Sequence, residues 1–135
     1  MIMNTEELID NFEFLDRWED KYRYIIELGE KLPELASEFY TDEWKVKGCQ
    51  SQVWLVPFKN DDGKINFSGD SDAMIVKGLI AIVLMIYNNK TAEDIKNTNI
   101  KNIFSIIGLQ EHLSPSRRNG LEAMILKIEH YANIL

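Results

Sequence analysis

The chain has 135 residues, 45% of them hydrophobic and 27% charged, a size and composition that suit one soluble domain with its own core. Its 22 acidic residues outnumber 15 basic ones, giving a formal net charge of −7 at pH 7. Nucleic acid and anionic membrane surfaces are bound through clustered Lys and Arg; here the basic residues are scattered among the acids, so neither is an expected partner.

The opening stretch, MIMNTEELIDNF, has no basic segment and no long apolar run. It does not read as a secretion signal, and the cytoplasm is the expected compartment. Asn4, followed by Glu7 three residues later, is a capping pattern. Leu8, Phe12 and Leu15 follow at helical spacing and predict a first helix near 5–15. Trp18, Tyr22, Ile25, Ile26 and Leu28 form a second stripe, over about 17–31, with Gly29 weakening its end. PELASEFY, after Pro33, predicts a short third helix.

The period then changes. SQVWLVPF, near 51–58, is rich in β-branched and aromatic residues and reads as a strand. NDDG (60–63) is a turn signal, and KINFSG (64–69) a second strand, so the pair predicts an antiparallel hairpin. WKV, ahead of Cys49, offers a third strand. After GDSDA the helical period returns. Asp70 or Ser71 is placed to cap a central buried helix over 72–88, whose apolar run GLIAIVLMIY is too short to span a bilayer. TAED opens a short helix; IKNIFSIIGL is another, closed by Gly108. Ser114 and Pro115 begin a C-terminal helix carrying Leu121, Met124, Ile125, Ile128 and Tyr131 on one stripe. No repeat or linker interrupts residues 1–135, so the expectation is a single α+β domain, with a small antiparallel sheet of about three strands packed by helices.

Cys49 is the only cysteine. An internal disulfide is therefore excluded, and a reducing compartment disfavours one between chains. His112 and His130 lie too far along the chain to give it a zinc-ligand spacing. An inert buried thiol and a reactive one both remain open. Burial is the common state of a lone cysteine. Against it stand a loop position, the backbone freedom of Gly48, and Lys45 and Lys47 nearby in sequence, since cationic neighbours favour the thiolate. No Cys-His-Asn order of a cysteine hydrolase is evident, and His112 reads as a surface or capping histidine.

GCQSQVWLV, around Cys49, resembles the signature of the SufE family, the sulfur acceptors that partner cysteine desulfurases in iron–sulfur cluster assembly. KYRYIIELGEKLPEL resembles the family's second helix, GDSDAMIVKGLIAIVL its central one and LQEHLSPSRRNGLEAMILKI its C-terminal one. These blocks are collinear over about residues 11–130. The resemblance implies a SufE/IscU-like fold and an acceptor role for Cys49. The cysteine would take persulfide sulfur from a desulfurase whose pyridoxal phosphate is the partner's own, speed that enzyme's turnover, and pass the sulfur to an Fe–S scaffold of the SufBCD kind. It implies no cofactor on this chain beyond the covalent persulfide, and no enzyme activity of its own. The same resemblance gives Gly48 as a hinge, Gln50 and Gln52 as loop hydrogen-bonding residues, and Arg117 as a group near the sulfur or the partner. It gives Asp70 and Asp72 as helix caps that limit loop motion. Many members read NRVPGC where this chain reads WKVKGC, so Trp44 and Lys47 depart from the pattern. A SufS-type and a CsdA-type desulfurase are not separated by these residues, nor is a monomer from a weak homodimer. The alternative of another class is an interaction adaptor with an inert cysteine; a third is a cysteine hydrolase.

Overall fold

The computed structural model describes residues 4–135; residues 1–3, the start of the stretch read as lacking a secretion signal, lie outside them. The first helix, α1 (Thr5–Glu13), begins where the Asn4 side chain accepts a hydrogen bond from the Glu7 amide at 2.8 Å, and it buries Leu8 and Phe12. α2 (Trp18–Glu30) follows the expected stripe. Gly29 does not fray its end. It is buried inside the last turn, against the backbone of the central helix.

The helix expected in PELASEFY is reduced to one 3₁₀ turn, Ser37–Phe39, followed by a second at Asp42–Trp44. Among residues 33–40 only Leu35 is buried, so no apolar stripe pins a longer helix, and packing of such a stripe supplies most helical stability.

β1 (Val53–Lys59) and β2 (Ile65–Ser71) pair antiparallel, from Val53 opposite Ser71 to Lys59 opposite Ile65. The turn between them is closed by the Gly63 amide donating to the Asn60 carbonyl at 3.0 Å. Among the described residues the sheet has two strands, not three. Lys45 makes one isolated bridge to Trp54, and the Val46 amide donates to the Val53 carbonyl at 2.8 Å. A 3₁₀ turn ends at Trp44 and the chain turns again at Lys47 and Gly48, which leaves length for a bridge but not for a strand.

The central helix, α3 (Met74–Tyr87), starts later than read from the sequence because Asp70 and Ser71 complete β2. Neither caps it: Ala73 holds the cap position with no side-chain bond. The Ser71 hydroxyl accepts from the Ala73 amide at 3.2 Å, just outside the helix. Eleven of its fourteen residues are buried, which makes it the hub of the core as its apolar run predicts. Two short helices follow, α4 (Ala92–Lys96) and α5 (Ile100–Ile107). Thr91 caps α4 through the Asp94 amide, and Gly108 closes α5 in the left-handed conformation.

α6 (Pro115–Ile134) runs for twenty residues. Ser114 caps it by accepting from the Arg117 amide at 3.3 Å, with Pro115 in the first turn. Gly120, Leu121, Met124 and Ile128 are buried along it, and Tyr131 meets Phe67 of β2. The segment carrying Cys49 lies against the N-terminal half of this helix. Among the described residues, no helix is long and apolar enough to cross a membrane.

Candidate functional site

Cys49 stands in the loop that joins the bridge at Lys45 to β1, half-buried. Gly48 turns the loop with φ +90°, a left-handed angle that costs glycine nothing and L side chains much. The loop is tied at its far end by Asp72. One carboxylate oxygen accepts from the Gln52 amide at 3.0 Å, and the Asp72 amide donates to the Gln52 carbonyl at 3.4 Å. Gln52 thus holds the loop through its backbone. Asp72 acts on the loop rather than as the cap of α3.

The segment leading into the loop is anchored separately. The Tyr40 hydroxyl donates to Asp70 at 2.5 Å, and the Tyr40 ring meets Trp54 edge-on at 5.0 Å. The other Asp70 oxygen accepts from the Ser71 amide at 2.8 Å and faces the Lys77 ammonium at 3.4 Å. Asp70 is therefore a buried strut between loop, sheet and α3. Trp44, one of the departures from the family pattern, packs edge-on against Phe39 at 6.0 Å.

The Cys49 sulfur faces a cavity of about 340 Å³. Val53, Val76, Leu79, Leu121 and Met124 form its apolar wall; Gln50, Ser51, Ser114, Ser116 and Arg117 form its polar rim. The thiol donates to the Gly120 carbonyl of α6 at 3.6 Å. Burial pushes the Cys49 thiol up from its ordinary pKa, because desolvation penalises the charged form. The sequence reading expected Lys45 and Lys47 to act the other way. Both instead line a separate groove with Ala123 and Lys127, and Lys45 reaches Asp42 at 3.9 Å.

His112 is not part of this constellation. It stacks on Trp18 at 4.4 Å, with the rings 15° apart, and is absent from the cavity lining. The site thus presents a shielded sulfur, an apolar chamber and an arginine at its rim, with no histidine beside the sulfur.

Over residues 6–132 the sequence matches the SufE model, described as an Fe-S metabolism associated domain. The chain belongs to the SufE family. Similar relatives include an uncharacterized SufE-like protein of Rhizobium etli, 52% identical over 134 residues, covering 97% of this chain and 90% of that one. A second, from Rhizobium meliloti, is 51% identical over 132 residues, covering 96% and 94%. The fold is shared with the solution structure of a hypothetical protein from Thermus thermophilus, at a TM-score of 0.76 and 19% identity, over 96% of this chain and 93% of that one.

Within this SufE-family chain, the structure gathers Gln50, Arg117 and Cys49 around one cavity, with Gly48 and the Gln52–Asp72 tether framing the loop. Gly120 was not singled out from sequence. Its signal was there: a glycine inside an otherwise regular helical pattern, RNGLEAM, commonly has a packing reason.

Proposed function

We propose that this protein is a sulfur acceptor and carrier in iron–sulfur cluster assembly, and that Cys49 is the residue that carries the sulfur. The observation that supports this most is the single cysteine sitting at a glycine-hinged loop over an apolar chamber. A persulfide's outer sulfur is easily lost to any second thiol, and such a chamber shelters it. In the transfer, the Cys49 thiolate attacks the outer sulfur of a persulfide on a desulfurase of the SufS type. A new sulfur–sulfur bond forms on Cys49, the donor's own bond breaks, and the donor cysteine leaves as thiolate. The rate of such exchange follows thiolate fraction, nucleophilicity and access. Burial works against the first and the last, so the loop opens to react, and Gly48 is the residue that lets it turn. Arg117 stands where it can meet a negative sulfur or the partner's surface. The loaded protein then gives its sulfur to a scaffold complex in the cytoplasm. Pyridoxal phosphate belongs to the desulfurase.

The half-buried, up-shifted thiol is what favours the second reading, an adaptor with an inert cysteine. One experiment separates the two. The protein is mixed with a SufS-type desulfurase, pyridoxal phosphate and cysteine, and its intact mass is followed. A carrier gains about 32 Da per sulfur, located on Cys49. The Cys49→Ser variant binds the desulfurase almost normally but does not accelerate it. No mass gain, or acceleration retained by Cys49→Ser, would overturn the carrier reading.

A further inference from the structure

Gly120 lies in the second turn of α6, where a glycine is less favourable than alanine for the helix. No clash forces it: a β-carbon there would stand at ordinary contact distance from its neighbours. Those neighbours identify what the glycine serves. The three nearest atoms are all Cys49's, the sulfur at 3.5 Å and the α- and β-carbons at 3.8 Å each. The same residue's carbonyl accepts the thiol proton at 3.6 Å. A notch without a side chain and a proton acceptor therefore meet the cysteine together.

We propose that Gly120 is a positioning residue for Cys49: its bare α-carbon and its carbonyl form a seat on α6 in which the cysteine is parked as a neutral thiol. The proposal rests on the sulfur-acceptor reading for its purpose, but not for its geometry. The bond in the seat needs a proton on the sulfur attached to the β-carbon. A thiolate has none and would turn its charge toward the carbonyl oxygen. A persulfide has none at that atom either, because the inner sulfur is bonded to carbon on one side and sulfur on the other. The seat therefore holds the empty carrier and loses its hydrogen bond to the inner sulfur of the loaded one, which loosens the loop while the chamber still covers the outer sulfur. Acceptance and presentation of sulfur are coupled to loop position without any change in the rest of the fold. Arg117, the charged residue of the cavity lining, is on the rim to meet the anion that leaves the seat. Asp72 holds the far end of the loop through Gln52, so the motion is confined to the turn at Gly48 and Cys49.

The test uses the reduced protein alone. Iodoacetamide alkylation of Cys49 is timed by mass for the wild type, Gly120→Ala and Gly120→Leu, with thermal melting recorded beside it. Gly120→Leu fills the seat and drives the cysteine out. Its alkylation accelerates at least about tenfold, the room available when an open state is populated at 10% or less, while melting remains cooperative. Gly120→Ala, whose β-carbon would touch the sulfur at 3.5 Å without overlapping it, accelerates alkylation less than Gly120→Leu. A folded Gly120→Leu that is alkylated no faster than wild type overturns the proposal. Independently of any substitution, methyl methanethiosulfonate converts the wild-type thiol to a methyl disulfide with release of methanesulfinate, leaving an inner sulfur without a proton. Amide exchange of residues 47–52 then rises relative to the thiol form; unchanged exchange overturns the proposal even if Gly120→Leu does not fold. Neither readout involves a desulfurase, so failure here leaves the carrier reading standing, and failure of the mass gain with a desulfurase leaves the seat standing.

Discussion

Gly78 of α3 lies directly under Ile25 of α2. A β-carbon on Gly78 would overlap the Ile25 carbonyl oxygen, and one on Gly29 would fall 2.5 Å from the Gly78 amide nitrogen. The two helices pack backbone to backbone, and neither obstacle is a flexible side chain that can swing away. Gly78→Ala is therefore expected to destabilise the fold by at least about 1–3 kcal/mol, the usual cost of overpacking. Gly29→Ala is expected to act in the same direction. Denaturant unfolding measures both. A Gly78→Ala midpoint equal to or above wild type would contradict this packing, since alanine otherwise favours a helix over glycine.

Asp70 gathers three partners on one buried carboxylate: the Tyr40 hydroxyl, the Ser71 amide and the Lys77 ammonium. Hydrogen bonds to a charged group contribute about 1.5–3 kcal/mol, and an abandoned partner adds its own desolvation cost. Asp70→Ala is expected to lose about 2–3 kcal/mol by that measure. Tyr40→Phe should lose less, because its ring still meets Trp54 and the carboxylate keeps its other two partners. Chemical denaturation of the two variants ranks them, and a Tyr40→Phe loss equal to that of Asp70→Ala would contradict the strut.

What the sequence made legible follows from which forces are local. Asn4, Thr91, Ser114 and Gly108 mark helix ends because capping is settled within four residues. The hairpin was legible from NDDG, and α3 from its unbroken apolar run. The third strand and the PELASEFY helix were over-read, because a strand needs partners and a helix a buried face, and both are decided at a distance. Asp70 has a capping residue's identity, and only the fold shows that Tyr40, thirty residues away, claims it. At the site, Cys49 was legible as the one sulfur. The sign of its environment was not, since Lys45 and Lys47 are neighbours in sequence that point into another groove. Gly120, seventy-one residues further on, could not be paired with Cys49 from spacing.

Tyr87 of α3 is fully buried, and its hydroxyl has no hydrogen-bond partner among the described residues. An unmet buried polar group costs about 1–3 kcal/mol, so Tyr87→Phe is expected to be neutral or stabilising. Burial, with a smaller contribution from Glu129, pushes the phenol up to about 12. The folded state therefore keeps a proton that the unfolded chain gives up near pH 10. Stability linked to Tyr87 is complete below that pH and is lost as pH rises from there through about 12. Melting temperature followed from pH 8 to 11 should fall less steeply for Tyr87→Phe than for wild type; parallel curves would show that the phenol titrates alike in the folded and unfolded states, with no rise caused by burial.

The Cys49 thiol offers a pH dependence of its own. Burial raises its pKa in the folded state, and the groups placed to oppose this are few. Arg117 lines the cavity from α6, whereas Lys45 and Lys47 face the other groove; Asp72, a carboxylate, would act with burial rather than against it. A raised thiol pKa stabilises the fold below the ordinary cysteine value near 8.5, and that contribution is lost as pH climbs above it. Alkylation of the native protein should accordingly titrate at higher pH than alkylation of the same cysteine in denaturant, where the value returns to about 8.5. Native and denatured profiles that coincide would mean the sulfur reacts only from a fully solvated loop. In that case the chamber would shelter a sulfur already transferred, without restraining the thiol that receives it.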